Sequence, residues 1–207
     1  MQTSSNPMET SNSTIQLTLP SRYSSAKPEP ATQTTPPIEW FIRTWTVTHS
    51  TLSMWRTARN VRITYKALPP KPDGRVRIDD LVEYEPSNQA DVVKSVAGID
   101  TQSPDGGWDW RGKRWLFFVS SHWEVLGSGE ETTADGETER WVVTWFAPTL
   151  FTKEGLDIYS DRREGLSEAT YKKIDEALRT LDAKVLVDMV AQDMKPVEIK
   201  FPWKEIS

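Results

Sequence analysis

Between Trp40 and Phe146 the chain alternates apolar and polar residues in short runs that end in turn chemistry, and this period of two is the feature that most limits its fold. Trp45, Val47 and His49 share one side of a candidate strand, and Thr44, Thr46 and Thr48 share the other. Val61, Ile63 and Tyr65 repeat the pattern against Asn60, Arg62 and Thr64. Strand-like runs follow at Arg77 to Glu85 and Asp91 to Thr101, broken by Pro86-Ser87-Asn88. Trp108 to Leu126 is the longest run and reads as two strands that bend at Gly112. Trp115, Phe117, Val119, Ser121, Trp123 and Val125 share one face of it, and His122 and Glu124 the opposite one. Trp141, Val143 and Trp145 alternate after an acidic, glycine-containing loop from Gly127 to Glu139. Pro69-Pro70-Lys71-Pro72-Asp73-Gly74 and Ser103-Pro104-Asp105-Gly106-Gly107 supply the fixed and the permissive φ angles of turns. Six to eight short strands in this spacing predict a sandwich or a closed barrel.

The last third changes period. Tyr171, Ile174, Leu178 and Leu181 form an apolar stripe at helical spacing, with Glu168, Lys172, Lys173, Asp175, Glu176 and Arg179 opposite. Ser167 is a natural N-cap, and Leu166 with Tyr171 takes the positions of a hydrophobic staple. Val185 to Val190 fits either a closing strand or a further helix. A meander of strands followed by a helix predicts a mainly β fold, an up-and-down antiparallel barrel with one amphipathic helix packed outside.

Composition divides the chain in two. Residues 1–37 are rich in Ser, Thr and Pro and poor in large aliphatic side chains, so they read as a disordered tail. Residues 38–207 form the barrel domain. The tail lacks the basic start and apolar run of a secretion signal, and no window approaches the ~18 apolar residues of a membrane span. Asn12-Ser13-Thr14 matches a glycosylation sequon, which without a signal stays unused. There are no cysteines, which excludes disulfides and thiolate chemistry, and a cytoplasmic location is the simplest expectation. A net charge of -5 argues against nucleic acid as a partner. Oligomeric state is not legible.

Ten tryptophans are more than a small barrel needs to fill its core. Flat aromatic walls suit a flat apolar molecule, and Trp115, Trp123, Trp141 and Trp145 are the candidates to line its pocket. His49, Tyr65 and Lys94 are candidates for the few convergent polar groups. For chemistry, His122 and Glu124 stand two apart on one strand and so share a face, a pairing that could move a proton near neutral pH. Arg62 could hold an enolate or developing oxyanion if it points inward. The competing reading of each is a structural ion pair or a satisfied core side chain. Two histidines with no carboxylate cluster give no metal set, and the glycines build no nucleotide loop, so no cofactor is expected.

Several of these residues resemble the lipocalin group of calycin barrels. Lipocalins open their first strand with Gly-x-Trp, and Arg43-Thr44-Trp45 matches that place with the tryptophan kept and the glycine replaced. Leu156-Asp157-Ile158-Tyr159-Ser160-Asp161-Arg162, followed by Leu166-Ser167, is similar to the lipocalin ending of a last strand, a Ser-Arg-like element and a helix. The resemblance implies that Trp45 seals the closed end and that Arg162 is the cation stacked over it. The phrases from Trp45 to Leu52, from Arg59 to Tyr65 and from Trp108 to Gly112 are closest to a set of fungal lipocalin-like proteins, some of which act in specialised metabolism as cofactor-independent cyclases. The expectation is therefore a lipocalin-like barrel that binds a small polyketide-, polyene- or terpenoid-like molecule in specialised metabolism. A cofactor-independent cyclase or isomerase is the first alternative, and a protein-interaction module the second.

Overall fold

Eight antiparallel strands close on themselves in chain order: β1 (Thr44–Ser50), β2 (Ala58–Leu68), β3 (Arg77–Pro86), β4 (Lys94–Gln102), β5 (Trp108–Gly112), β6 (Ser120–Thr132), β7 (Thr138–Phe146) and β8 (Gly155–Ser160). The computed structural model describes residues 14–24, 36–104, 106–149 and 152–204. Each strand pairs with its successor, and β1 completes the circuit by pairing with both β2 and β8. Closure leaves none of these eight strands at a free edge. A ninth short strand, β9 (Lys195–Pro196), attaches outside along the end of β1. The architecture is the expected up-and-down barrel.

One end is stoppered. The short helix α1 (Ile38–Phe41) carries Phe41 into the barrel, where it stacks on Tyr65 at 4.7 Å and lies 5.9 Å from the Trp45 ring. Trp45 is fully buried, and its indole N–H donates to the Phe41 carbonyl at 2.9 Å. The cation over Trp45 is Arg43, 5.5 Å from the ring, and not Arg162. Arg162 instead pairs with Glu164 at 2.7 Å and approaches Glu139 at 3.9 Å. Those carboxylates lie beside Arg162 after β8 and hold it there, while Arg43 reaches the indole from two residues away.

The outside carries two helices, α2 (Glu168–Arg179) and α3 (Lys184–Asp193), one more than expected. The segment from Val185 to Val190 is thus helical. Ser167 caps α2 by accepting from the Thr170 N–H, and buried Glu139 accepts from the Ser167 N–H at 2.9 Å. Two cores result. Inside the barrel lie Trp45, Val61, Ile63, Ile78, Trp108 and Trp123, while Leu126, Trp141, Val143, Trp145, Leu156 and Ile158 pack outward against Ile174, Leu178, Leu186 and Val190. Both faces of β7 therefore carry apolar side chains, whereas the inner face of β8 carries Asp157 and Tyr159.

Part of the expected disordered tail packs on this outer wall. Ile15 is buried, the Thr18 N–H donates to the Leu126 carbonyl at 2.8 Å, and the Tyr23 hydroxyl donates to Glu154 at 2.8 Å. Residues 14–24 are thus ordered against the barrel. Residues 1–13 and 25–35, which carry the rest of that expectation and Asn12-Ser13 of the sequon, lie outside the described residues. Among the described residues no helix is long and apolar enough to cross a membrane.

Candidate ligand cavity

Opposite the stopper the barrel opens into a cavity of about 310 Å³. Its walls are apolar: Ile63, Val82, Val96, Trp110, Trp123 and Phe146 come from the strands, and Trp55 from the 3-10 turn after β1. The tight turn between β5 and β6 adds Trp115, Leu116 and Val119 at the mouth. That turn springs from Gly112, where a Cβ would lie 2.4 Å from the Leu116 carbonyl oxygen. Trp115, Phe117, Phe118 and Met54 stay exposed around the opening. Such a rim of unburied aromatics is unusual on a small soluble protein and marks an entry or docking edge.

Polar groups converge on the inner wall. Asp80 of β3 and Asp100 of β4 are a diagonal pair on the inner face, because Asp80 registers with Gly98. Gly98 is required there. A Cβ would lie 2.0 Å from the Trp110 indole nitrogen, which crosses the glycine beside Asp80. The Trp123 indole N–H donates to Asp100 Oδ1 at 2.8 Å. Oδ1 of Asp80 and Oδ2 of Asp100 have no hydrogen-bond partner among the described residues. On the far wall, Asp157 of β8 accepts from the Ser50 hydroxyl, and the Trp55 indole nitrogen lies beside it without closing a bond. Tyr159 and Tyr65 line the same cavity, with the Tyr159 hydroxyl also unpartnered. Burial pushes Asp157 and Asp80 each up to about 7, and it raises Asp100 well above the usual carboxylate range, aided by the charge of Asp80. The same burial raises both tyrosines well above their ordinary value.

The expected site residues scatter. Tyr65, Trp115 and Trp123 line the cavity. Trp141 and Trp145 do not: they face outward beneath the helices, Trp145 donating to Glu154 at 2.7 Å. Alternation puts them on one face without saying which, and here the outer face is as apolar as the inner one. His49 also lies outside. A bulge in β1 between Val47 and His49 inverts the alternation, so His49 stacks on Tyr171 of α2 at 3.7 Å while Ser50 turns inward to Asp157. Burial depresses the His49 pKa to about 4. Lys94 is exposed and borders a separate pocket with Met54, Tyr84 and Gln89.

The three catalytic candidates all fall outside the cavity. Arg62 points away from the interior, pairs with Glu83 at 3.2 Å, donates to the Lys204 carbonyl at 2.8 Å and lies over Trp203. The strand-outward face of β2 is covered by the C-terminal segment, which is why Arg62 is buried without being internal. His122 bonds Asp109 at 2.8 Å and Glu124 at 3.3 Å on the outer wall. Glu124 in turn accepts from the Ser21 N–H at 2.9 Å, so the pair is a latch for the N-terminal segment. The bond to Glu124 raises the His122 pKa, against the effect of its partial burial. Sequence reading passed over Asp80, Asp100 and Asp157, although each sits at an inward position of an alternating run. Among the described residues no group of His, Asp and Glu is arranged to hold a metal ion.

No protein-family model matches the chain, and no curated protein matches it in sequence. Solved structures do match its fold. Lobster apocrustacyanin A1 superposes with a TM-score of 0.50 at 11% identity, over 78% of this chain and 79% of that one. Apocrustacyanin C1 superposes with a TM-score of 0.52 at 12% identity, over 81% of this chain and 82% of that one. At such identities the likeness is one of fold, and the fold is lipocalin-like.

Proposed function

We propose that this lipocalin-like barrel binds a small, flat, apolar molecule, of the polyketide, polyene or terpenoid kind, in service of specialised metabolism. The observation that carries the reading is the cavity of about 310 Å³, open at one end and walled by Trp55, Trp110, Trp115, Trp123 and Phe146. That volume falls in the ~300–1,000 Å³ range of small-molecule sites, whose walls are mostly aromatic with a few placed polar groups. Stacking on indole faces rewards a flat ligand, and the exposed rim gives an apolar guest a path out of water. An interaction module has no use for a hollow interior.

Titration with the neutral fluorescent probe N-phenyl-1-naphthylamine tests it. The expected result is saturable binding with quenching of tryptophan emission, weakened by Trp123→Ala. No saturable binding, together with no small molecule retained from cell extracts by mass spectrometry, would overturn the reading.

A cofactor-independent cyclase is favoured by one observation: the cavity holds carboxyls that keep a proton near neutral pH, Asp80 and Asp157. These, and not His122, Glu124 or Arg62, are the acids such an enzyme would use. Conversion of a co-purified ligand to an isomer of equal mass, lost in Asp80→Asn, is the result that reading requires.

A further inference from the structure

The charged side chains set deep among the described residues of the cavity wall are of one kind, carboxylates. Asp80 and Asp157 line the cavity and Asp100 stands behind Asp80, with 6%, 2% and 0% of their surfaces exposed. Among the described residues no arginine lines the cavity, and the single lysine that does, Lys153, lies in the β7–β8 connection at the mouth. We propose that the cavity takes a protonated amine carried on an apolar, largely aromatic body, seated with its ammonium between Asp80 and Asp157. This rests on the binding reading above and narrows it to an apolar cation.

The unfilled hydrogen-bond positions argue for a donor. Trp123 already gives its indole N–H to Asp100, which treats that carboxyl as an acceptor, and the Trp110 indole lies beside Asp80. Oδ1 of Asp80 and Oδ2 of Asp100 receive no N–H or hydroxyl from the other described residues and have only a proton shared between the two carboxyls, and the Tyr159 hydroxyl lacks a partner. An ammonium offers three donors and a charge, whereas a ligand carbonyl or carboxylate offers only acceptors. Buried carboxyls without a counter-charge are costly, and a bound cation removes that penalty. The faces of Trp110 and Trp123 add cation–π attraction in a desolvated site. Charges on the other side of the wall do not substitute. Lys113 near Asp80 is bound to Asp79 on the outer face, and Arg56 near Asp157 is committed to the Ser50 and Asp193 carbonyls at 2.8 and 2.7 Å. Asp109, which acts on Asp100, adds to the negative potential.

A cation that pairs with these carboxyls must displace their protons. Asp80 and Asp157 empty near 7, so affinity rises as pH climbs from 5 to 8 and the protons leave. Tyr65 and Tyr159 stay neutral throughout, their burial holding them protonated.

The test displaces N-phenyl-1-naphthylamine from the full chain with three molecules of one shape: 1-naphthylmethylamine, 1-naphthylmethanol and 1-naphthoate. The amine is expected to bind about tenfold or more tighter than the alcohol at pH 8, and to lose that advantage at pH 5. In Asp80→Asn and Asp157→Asn the amine-to-alcohol ratio falls toward one, and thermal melts of both variants confirm that they fold. Equal affinity of amine and alcohol at pH 8, or preference for the naphthoate, overturns the amine assignment while leaving the apolar-ligand reading intact. Failure of the probe itself to bind overturns both.

Discussion

Asp157 shows what a single buried carboxyl does to this molecule. Its folded pKa is about 7 because of burial, against about 3.9 for an unfolded chain. Between those values the folded state holds a proton that the unfolded state has lost, so stability falls as pH rises from about 4 to about 7. Asp157→Asn keeps an acceptor for Ser50 and removes the titration. Its melting temperature should exceed the parent's at pH 8, by an amount reflecting a few kcal/mol, and approach it at about pH 3.5, below the unfolded value. Equal shifts at both pH values would rule the account out. His49 works from the other side. Burial holds its folded pKa at about 4, so the stability it contributes above about 6.5 is lost as pH falls toward 4. His49→Phe retains the stack on Tyr171 and should flatten this acid limb in denaturant melts at pH 7 and 4.5. At the stopper, Arg43→Ala should cost about 1 kcal/mol and alter tryptophan emission, since Arg43 lies over both Trp40 and Trp45. Arg162→Ala should leave that emission unchanged.

At the scale of elements, two devices fix the outer layer. Helix α2 starts where Glu139 on β7 captures Ser167, so the cap is anchored to the barrel as well as to the helix. Ser167→Ala removes the acceptor for Thr170 and should cost about 1 kcal/mol, seen as a lower denaturant midpoint. The N-terminal segment is held by Ser21 on Glu124 and by Thr18 on Leu126. Glu124→Ala should therefore raise amide hydrogen exchange across residues 14–24 while leaving β6 protected. Unchanged exchange in the segment would show that Ile15 and its neighbours hold it without the latch. The apolar residues of this segment, Ile15, Leu17 and Leu19, alternate like those of a strand. That signal was present beneath the Ser, Thr and Pro composition.

For the whole molecule, the closed end and the open end divide the work. Phe41, Tyr65, Trp108 and Trp123 form a stacked aromatic plug with centroid spacings of 4.7 to 6.0 Å. The mouth leaves Trp115, Phe117 and Phe118 in water. Trp115 both lines the cavity and caps the rim, so Trp115→Ala should speed release of a bound probe several-fold in stopped-flow fluorescence, with little change in melting temperature. A slower release would place the ligand elsewhere.

Alternation, turn residues and the Ser167 cap were enough to read a closed antiparallel barrel, its strand faces and the main outer helix, because period and capping are local properties of the chain. The structure places Trp45, Tyr65 and Trp123 in the barrel interior. What period cannot state is which face is inward when both are apolar. That choice for Trp141 and Trp145 came from α2 and α3 packing on β7 and β8. It also cannot foresee a one-residue bulge, which sent His49 out and Ser50 in. The acidic interior is the clearest case. Asp80, Asp100 and Asp157 are far apart in sequence, and each by itself reads as an ordinary polar position. Pairing of β3 with β4 brings the first two side by side, and only barrel closure sets the third on the facing wall and removes the water that would keep all three ionised.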